Sequence, residues 1–228
     1  MKPGEDRLAA RRREWLKRAL LGGIAMPLLL RDALAARKQS SGLVMLKGEV
    51  LINGNAARTG ALVKSGDRVV TGIGGLAVFV VGSDAFLLRE NSELLTAGGR
   101  VLIASLRLVT GKLLSVFGRG PRLITTPTAT IGIRGTGIYI EAGAERSYVC
   151  TCYGVVDLQA SNMPEARETV RTIHHDAPRY IYAHGYMPIK MIEVAPVLNH
   201  SDAELIMLEA LVGREPPFVG SGKQYQDY

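Results

Sequence analysis

Cys150 and Cys152 stand one residue apart in "YVCTCYG" and are the only two cysteines of the 228-residue chain. If the segment is a strand, residues two apart share a face and both thiols point the same way. Strand Cα atoms two residues apart lie about 6.7 Å from one another, close to the upper limit for a disulfide, so a bridge between them would be strained. The four histidines, His174, His175, His184 and His200, all follow the cysteines, and "HHD" at residues 174–176 is the densest cluster. Thiolate and imidazole are the donors that zinc, copper and iron prefer. Cys150, Cys152, His174 and His175 are therefore the candidate ligands of a transition metal. C-x-C is not the usual C-x-x-C knuckle, and the His pair falls on a predicted loop that need not lie near the thiols. Adjacent residues of an extended chain point opposite ways, so at most one of the two histidines joins the thiols easily. The competing assignment needs no cofactor: thiols preserved by burial, with histidines at the surface.

Other catalytic signatures are missing. The sequence has no G-x-S-x-G, no H-E-x-x-H and no haem-attachment C-x-x-C-H. Asp67, Asp84 and Glu90 fall at predicted turns or strand ends, where carboxylates are ordinarily solvated. A glycan hydrolase would need two carboxylates facing one cleft, which no spacing here announces. The chain reads as non-enzymatic.

The segment "TPTATIGIRGTGIYIEA", residues 126–142, alternates like a strand yet holds Gly132, Gly135 and Gly137 around Arg134. A dinucleotide fingerprint would have to open a helix. Here Ile138, Tyr139 and Ile140 continue a strand, so the glycines fit a bulge, a corner where a strand changes sheets, or close backbone packing. Arg134 could form a buried ion pair or read a partner's carboxylate; an architectural role is the default.

The elements around these residues are strands. Turn signals at Asn53-Gly54-Asn55, Ser65-Gly66-Asp67, Gly82-Ser83-Asp84 and Gly111-Lys112 recur about every ten residues, the rhythm of an all-β sandwich or barrel. Residues 43–160 form the predicted β domain and 161–200 an irregular, Pro-punctuated closing segment in which "TVRTI" and "RYIYA" could be edge strands. Ser201-Asp202-Ala203-Glu204 has the form of a capping box and opens a helix over 201–213, stopped by Gly213 and Pro216-Pro217. Residues 214–228 read as a disordered tail.

The first 35 residues read as an export signal. Arg11, Arg12, Arg13, Lys17 and Arg18 precede an apolar run from Ala19 to Leu30, and Ala33-Leu34-Ala35 has the small-x-small form of a cleavage site. That run is shorter than the ~20 residues a membrane span needs, so no stable span is expected in the mature form. Arg12, Arg13, Trp15, Leu16 and Lys17 resemble the twin-arginine pattern R-R-x-F-L-K, which implies export of an already folded protein to the periplasm or cell surface. The formal charge of the whole chain is +7, but residues 1–35 carry eight Lys/Arg against four Asp/Glu. The remainder holds 20 basic and 17 acidic side chains, a balance that does not suggest a nucleic-acid partner.

Thr126-Pro127, Ala129, Gly132, Arg134-Gly135-Thr136 and Tyr139 together resemble the hallmark segment of FecR domains. "GEVLINGNAARTGALVKSGDRVVTGIGGLAVFVV", "SDAFLLRENSEL", "LVTGKLLSVF" and "YVCTCYGVVDL" are similar to the family's other segments, in order, over about Val44 to Leu158. The resemblance implies an antiparallel β-sandwich of jelly-roll type. It also implies kinship with periplasmic sensors of iron-uptake signalling, which take a signal from an outer-membrane transporter and pass it to a sigma factor. Only about 18 residues precede the apolar run, too few for a cytoplasmic anti-sigma segment. The expectation is a stand-alone exported FecR-like module that contacts an envelope protein or ligand. The alternative is a periplasmic metal- or haem-handling protein using Cys150, Cys152 and a histidine.

Overall fold

Fourteen strands and one helix follow one another along the computed structural model, which describes residues 40–98, 103–184 and 190–219. They are β1 (Gly42–Lys47), β2 (Val50–Ile52), β3 (Asn55–Ala56), β4 (Arg68–Thr71), β5 (Leu76–Val81), β6 (Asp84–Leu88) and β7 (Ser92–Gly98). Then come β8 (Ile103–Val116), β9 (Pro121–Thr125), β10 (Ala129–Ala142), β11 (Arg146–Ala160), β12 (Met163–Thr172), β13 (Arg179–Tyr182), β14 (Ile192–Val194) and the helix α1 (Asp202–Leu211). The export signal read at residues 1–35 and the end of the chain from 220 lie outside the described residues. Among those described, no helix is long and apolar enough to cross a membrane.

The all-β class with a short C-terminal helix is the fold observed. All fourteen strands belong to one hydrogen-bonded network. The pairings are antiparallel apart from β8 with β9. One apolar cluster fills the interior, drawing Phe79, Phe86, Leu88, Leu113, Ile131, Ile138, Ile140 and Val149 from successive strands. Phe79 stacks on Phe86 at 4.9 Å and Phe117 meets Phe86 edge-on at 5.7 Å.

Three long strands build the framework, and each changes partner partway along. Up to Thr110, β8 pairs with β7; from Gly111 onward it pairs with β10 and then also β6. The first half of β10 (Thr130–Arg134) lies on β9 and the second (Gly137–Ala142) on β8. The first part of β11 carries β13 and the part from Gly154 onward carries β12. The glycines of "IRGTG" sit at this corner. Gly135 has φ +61°, a left-handed backbone that side chains strain to adopt. At Gly137 an added Cβ would lie 2.4 Å from the Tyr153 ring, so the glycine lets that ring rest on the β10 backbone. Gly132 is different: a Cβ there would meet Asp157 at an ordinary 3.6 Å, and nothing steric requires it.

Four expectations change. Residues 161–200 are not irregular, because β12 is a ten-residue strand and β13 and β14 extend the sheet. Asp84 is not a solvated turn carboxylate. It is buried, accepts from Arg122 Nε at 2.9 Å, and caps the Gly118 N–H at 2.8 Å. Arg134 does not form a buried ion pair: its side chain is 76% exposed, with only a loose 3.6 Å approach to Asp157. Residues 214–219 are packed, with Arg214 donating to Glu209 and to the Ser83 carbonyl and Phe218 buried.

Candidate metal centre

The two faces of β11 have different fates. Val149 points into the apolar interior, while Tyr148, Cys150 and Cys152 point to the opposite side. Between Ile138↔Thr151 and Gly137↔Tyr153 the register skips Cys152, a bulge that turns the next residue, Tyr153, to that same side. A sheet face carrying aromatic rings and two thiols cannot be left to water. The chain after β14 returns across it and ends in α1.

Each contact of this cover is specific. The Tyr148 hydroxyl donates to the Pro196 carbonyl at 2.9 Å and accepts from the Leu198 N–H at 3.1 Å. Asn199 donates to Glu141, which also accepts from the Tyr139 hydroxyl. Arg89 bonds the Asn199 carbonyl and Glu204, and its guanidinium lies 5.9 Å from the Tyr139 ring centre. The His200 ring stacks on Tyr139 at 4.6 Å. The helix then starts at Asp202, with Glu204 reaching back to the Ser201 N–H at 3.0 Å. Its inner side is buried through Leu205, Leu208 and Leu211, and Glu209 accepts a hydrogen bond from the Tyr153 hydroxyl.

Under this cover four donor atoms converge. Cys150 Sγ, Cys152 Sγ and one ring nitrogen each of His175 and His200 all lie within 4.8 Å of one another, and all four residues are buried. Cys150 Sγ is 3.6 Å from His175 Nδ1, which is 2.9 Å from His200 Nε2. Tetrahedral zinc with ordinary bond lengths would need edges of about 3.5 Å between S and N and about 3.3 Å between the nitrogens. Both cysteines are free thiols, in keeping with the strain a bridge along the strand would carry.

The histidine orientations are fixed from outside the cluster. His200 Nδ1 is 2.6 Å from the Leu198 carbonyl, which can only accept, so Nδ1 carries the proton and Nε2 faces the thiols. His175 Nε2 donates to Asp202 Oδ1 at 3.0 Å, which leaves Nδ1 facing the thiols. His174 Nε2 donates to the same oxygen at 2.8 Å, holding the carboxylate in place. An imidazole bound on one side and hydrogen-bonded to a carboxylate or carbonyl on the other is the usual arrangement of a metal-ligating histidine.

The electrostatics follow from this packing. Burial pushes the Cys150 thiol up, but hydrogen bonds from Cys152, His175 and His200 outweigh it and hold the group well below an ordinary thiol. Burial and the adjacent Cys150 push Cys152 well above. Burial lowers His175, yet Asp202 and Cys150 outweigh it and raise the imidazole to about 9. Asp202 is raised by burial and more strongly lowered by the two histidines that donate to it.

Of the predicted ligands, the structure brings Cys150, Cys152 and His175 together, and His174 stands behind them on Asp202. The histidines are not at the surface: His174, His175 and His200 are buried, and only His184 is exposed. The loop does not carry the pair away from the thiols, because the His175 N–H bonds the Cys152 carbonyl at 3.0 Å and His175 adopts φ +49°. Sequence reasoning left out His200 and Asp202. Their signal was their place at a helix start, directly before and after the capping Ser201. Cys150, His175 and Asp202 line up like a nucleophile, base and carboxylate. Cys150 and Cys152 have no exposed surface and His175 only 2%.

No family model matches the chain, and no curated protein matches it. Among solved structures it is similar to a protein designated a putative anti-sigma factor from Parabacteroides distasonis ATCC 8503. Two structures of that protein align with TM-scores of 0.44 and 0.41 at 14% identity, covering 51% of this chain. The chain matches about half, 55%, of that protein's length.

Proposed function

We propose that this protein is an exported, non-catalytic binding or signalling module of FecR type, built around a buried transition-metal centre ligated by Cys150, Cys152, His175 and His200. One observation carries the metal: two thiol sulfurs and two ring nitrogens, those of Cys150, Cys152, His175 and His200, converge within 4.8 Å of one another in buried surroundings. The thiols favour a metal of transition-metal character rather than calcium or magnesium, which take oxygen ligands. Haem fits less well, since donors within 4.8 Å converge on a point and not on the two faces of a macrocycle. Export rests on residues 1–35, and an envelope partner rests on the FecR-like segments.

Metal analysis of the protein purified without added metal tests the centre. The expected result is about one equivalent of metal per chain, lost in Cys150→Ser/Cys152→Ser. An absence of metal in the wild type, together with failure of the apo protein to take up zinc, copper or iron, would remove the centre and leave only the binding module.

A further inference from the structure

We infer that the site takes a divalent, four-coordinate cation of the zinc class and holds it closed, as a structural centre. This rests on the metal-centre reading above and narrows it by charge, donor count and donor orientation.

Two thiolates and two neutral imidazoles carry a charge of −2 between them. A divalent ion brings the centre to neutrality; a monovalent ion such as Cu(I) leaves one negative charge where the donor residues are 0–5% exposed. Burying an uncompensated charge is among the costliest things a protein can do. The surroundings do not correct the deficit. Asp202 adds a further negative charge 3.0 Å from His175, and the nearby guanidinium of Arg89 is engaged with Glu204 at 2.7 Å.

The donors also fill the coordination sphere. Four protein ligands of type S₂N₂, with no exposed face, match a closed tetrahedral site and leave no position for water or substrate. Asp202 is not among the four converging donors, and both histidines donate to its Oδ1. Square-planar preference disfavours Cu(II), and no oxygen donor is offered to a hard cation.

Titration of the metal-free full chain with Co(II), under reducing and anaerobic conditions, tests the inference. One equivalent should produce intense visible bands of tetrahedral cobalt with thiolate charge-transfer in the near ultraviolet, and one equivalent of Zn(II) should bleach both. His200→Ala should weaken Zn(II) at least about tenfold and dim the cobalt bands as water enters the vacated position. Cys152→Ser, which keeps all the ring contacts, should lose charge-transfer intensity while retaining the circular dichroism of the folded sheet. Weak bands of six-coordinate cobalt, or cobalt that zinc does not displace, would overturn the inference. Stoichiometric uptake of Cu(I) with no uptake of Co(II) or Zn(II) would overturn it too, while leaving a metal centre in place. If none of these ions binds, the metal centre and its narrowing fall together.

Discussion

At the residue scale, the corner glycines and the buried histidines show two ways in which a side chain can be dictated by its neighbours. Gly137 is required by what lies on top of it. The Tyr153 ring is held there by Glu209, which Arg214 fixes in turn, so the ring cannot simply swing aside. Gly137→Ala should therefore destabilise the fold by about 1–3 kcal/mol, as overpacking does, and lower the thermal midpoint. Gly132→Ala, with open contacts at the same strand, should be nearly silent in the same experiment and serves as its control. The presence of corner glycines was legible in the sequence, because glycine weakens an alternating strand and so marks a bulge, a bend or a close backbone approach. Which of the three glycines carries the steric load was not, since that depends on a tyrosine sixteen residues away in the neighbouring strand. Arg134 shows the same limit: an arginine inside a strand segment gives no sign of which side of the sheet it faces once a bulge has shifted the alternation.

At the element scale, the cover formed by residues 196–211 joins the sheet through one proposed metal ligand, His200, and through the Tyr148, Asn199 and Arg89 contacts. Removing the metal with a chelator should leave the sheet intact and loosen this cover. Hydrogen exchange is expected to accelerate in residues 198–211 and to stay unchanged in β5, β6 and β8; uniform protection in both states would show that the metal contributes nothing to docking. A second element contact makes a pH-dependent contribution. Arg179 of β13 is bonded to Glu168 of β12 through both carboxylate oxygens, at 2.9 and 2.6 Å, and its hydrogen bonds hold Glu168 below the usual carboxylate range. A depressed folded value means the contribution is fully present above the unfolded pKa of about 4.3 and is lost as pH falls through the folded value. Replacing Glu168 with Gln should cost at most about 1 kcal/mol at neutral pH, given its partial exposure, and nothing once the pH has fallen below the folded value. A pH-independent difference between the two proteins in denaturant unfolding would refute this. The capping box was visible in the sequence and α1 begins where it predicts. The sequence could not show that the helix start lies against a strand some fifty residues earlier, because no local pattern encodes that pairing.

At the scale of the whole molecule, the β class, the strand rhythm and the C-terminal helix were legible because each follows from period-two patterning and turn chemistry. Half of the proposed metal centre was legible for a similar reason: two thiols on one strand face announce themselves. The other half is long-range. The donors come from three places in the chain, at 150 and 152, at 175 and at 200, and only the completed fold brings them within 4.8 Å. Pro216-Pro217 and the glycines beyond carry the local signals of a tail, whereas Phe218 packs on His174 at 4.2 Å, a contact that depends on the whole fold.

The position of His200 has a consequence for cleavage of the chain. A cut between β14 and His200 that released the C-terminal piece would take away His200 and Asp202 together, leaving Cys150, Cys152 and His175 on the sheet with the imidazole no longer held by its carboxylate. Three protein donors and a vacant fourth position are the arrangement by which catalytic zinc sites activate water. On the proposed assignment of the metal, loss of that piece would turn a closed structural centre into one open to water.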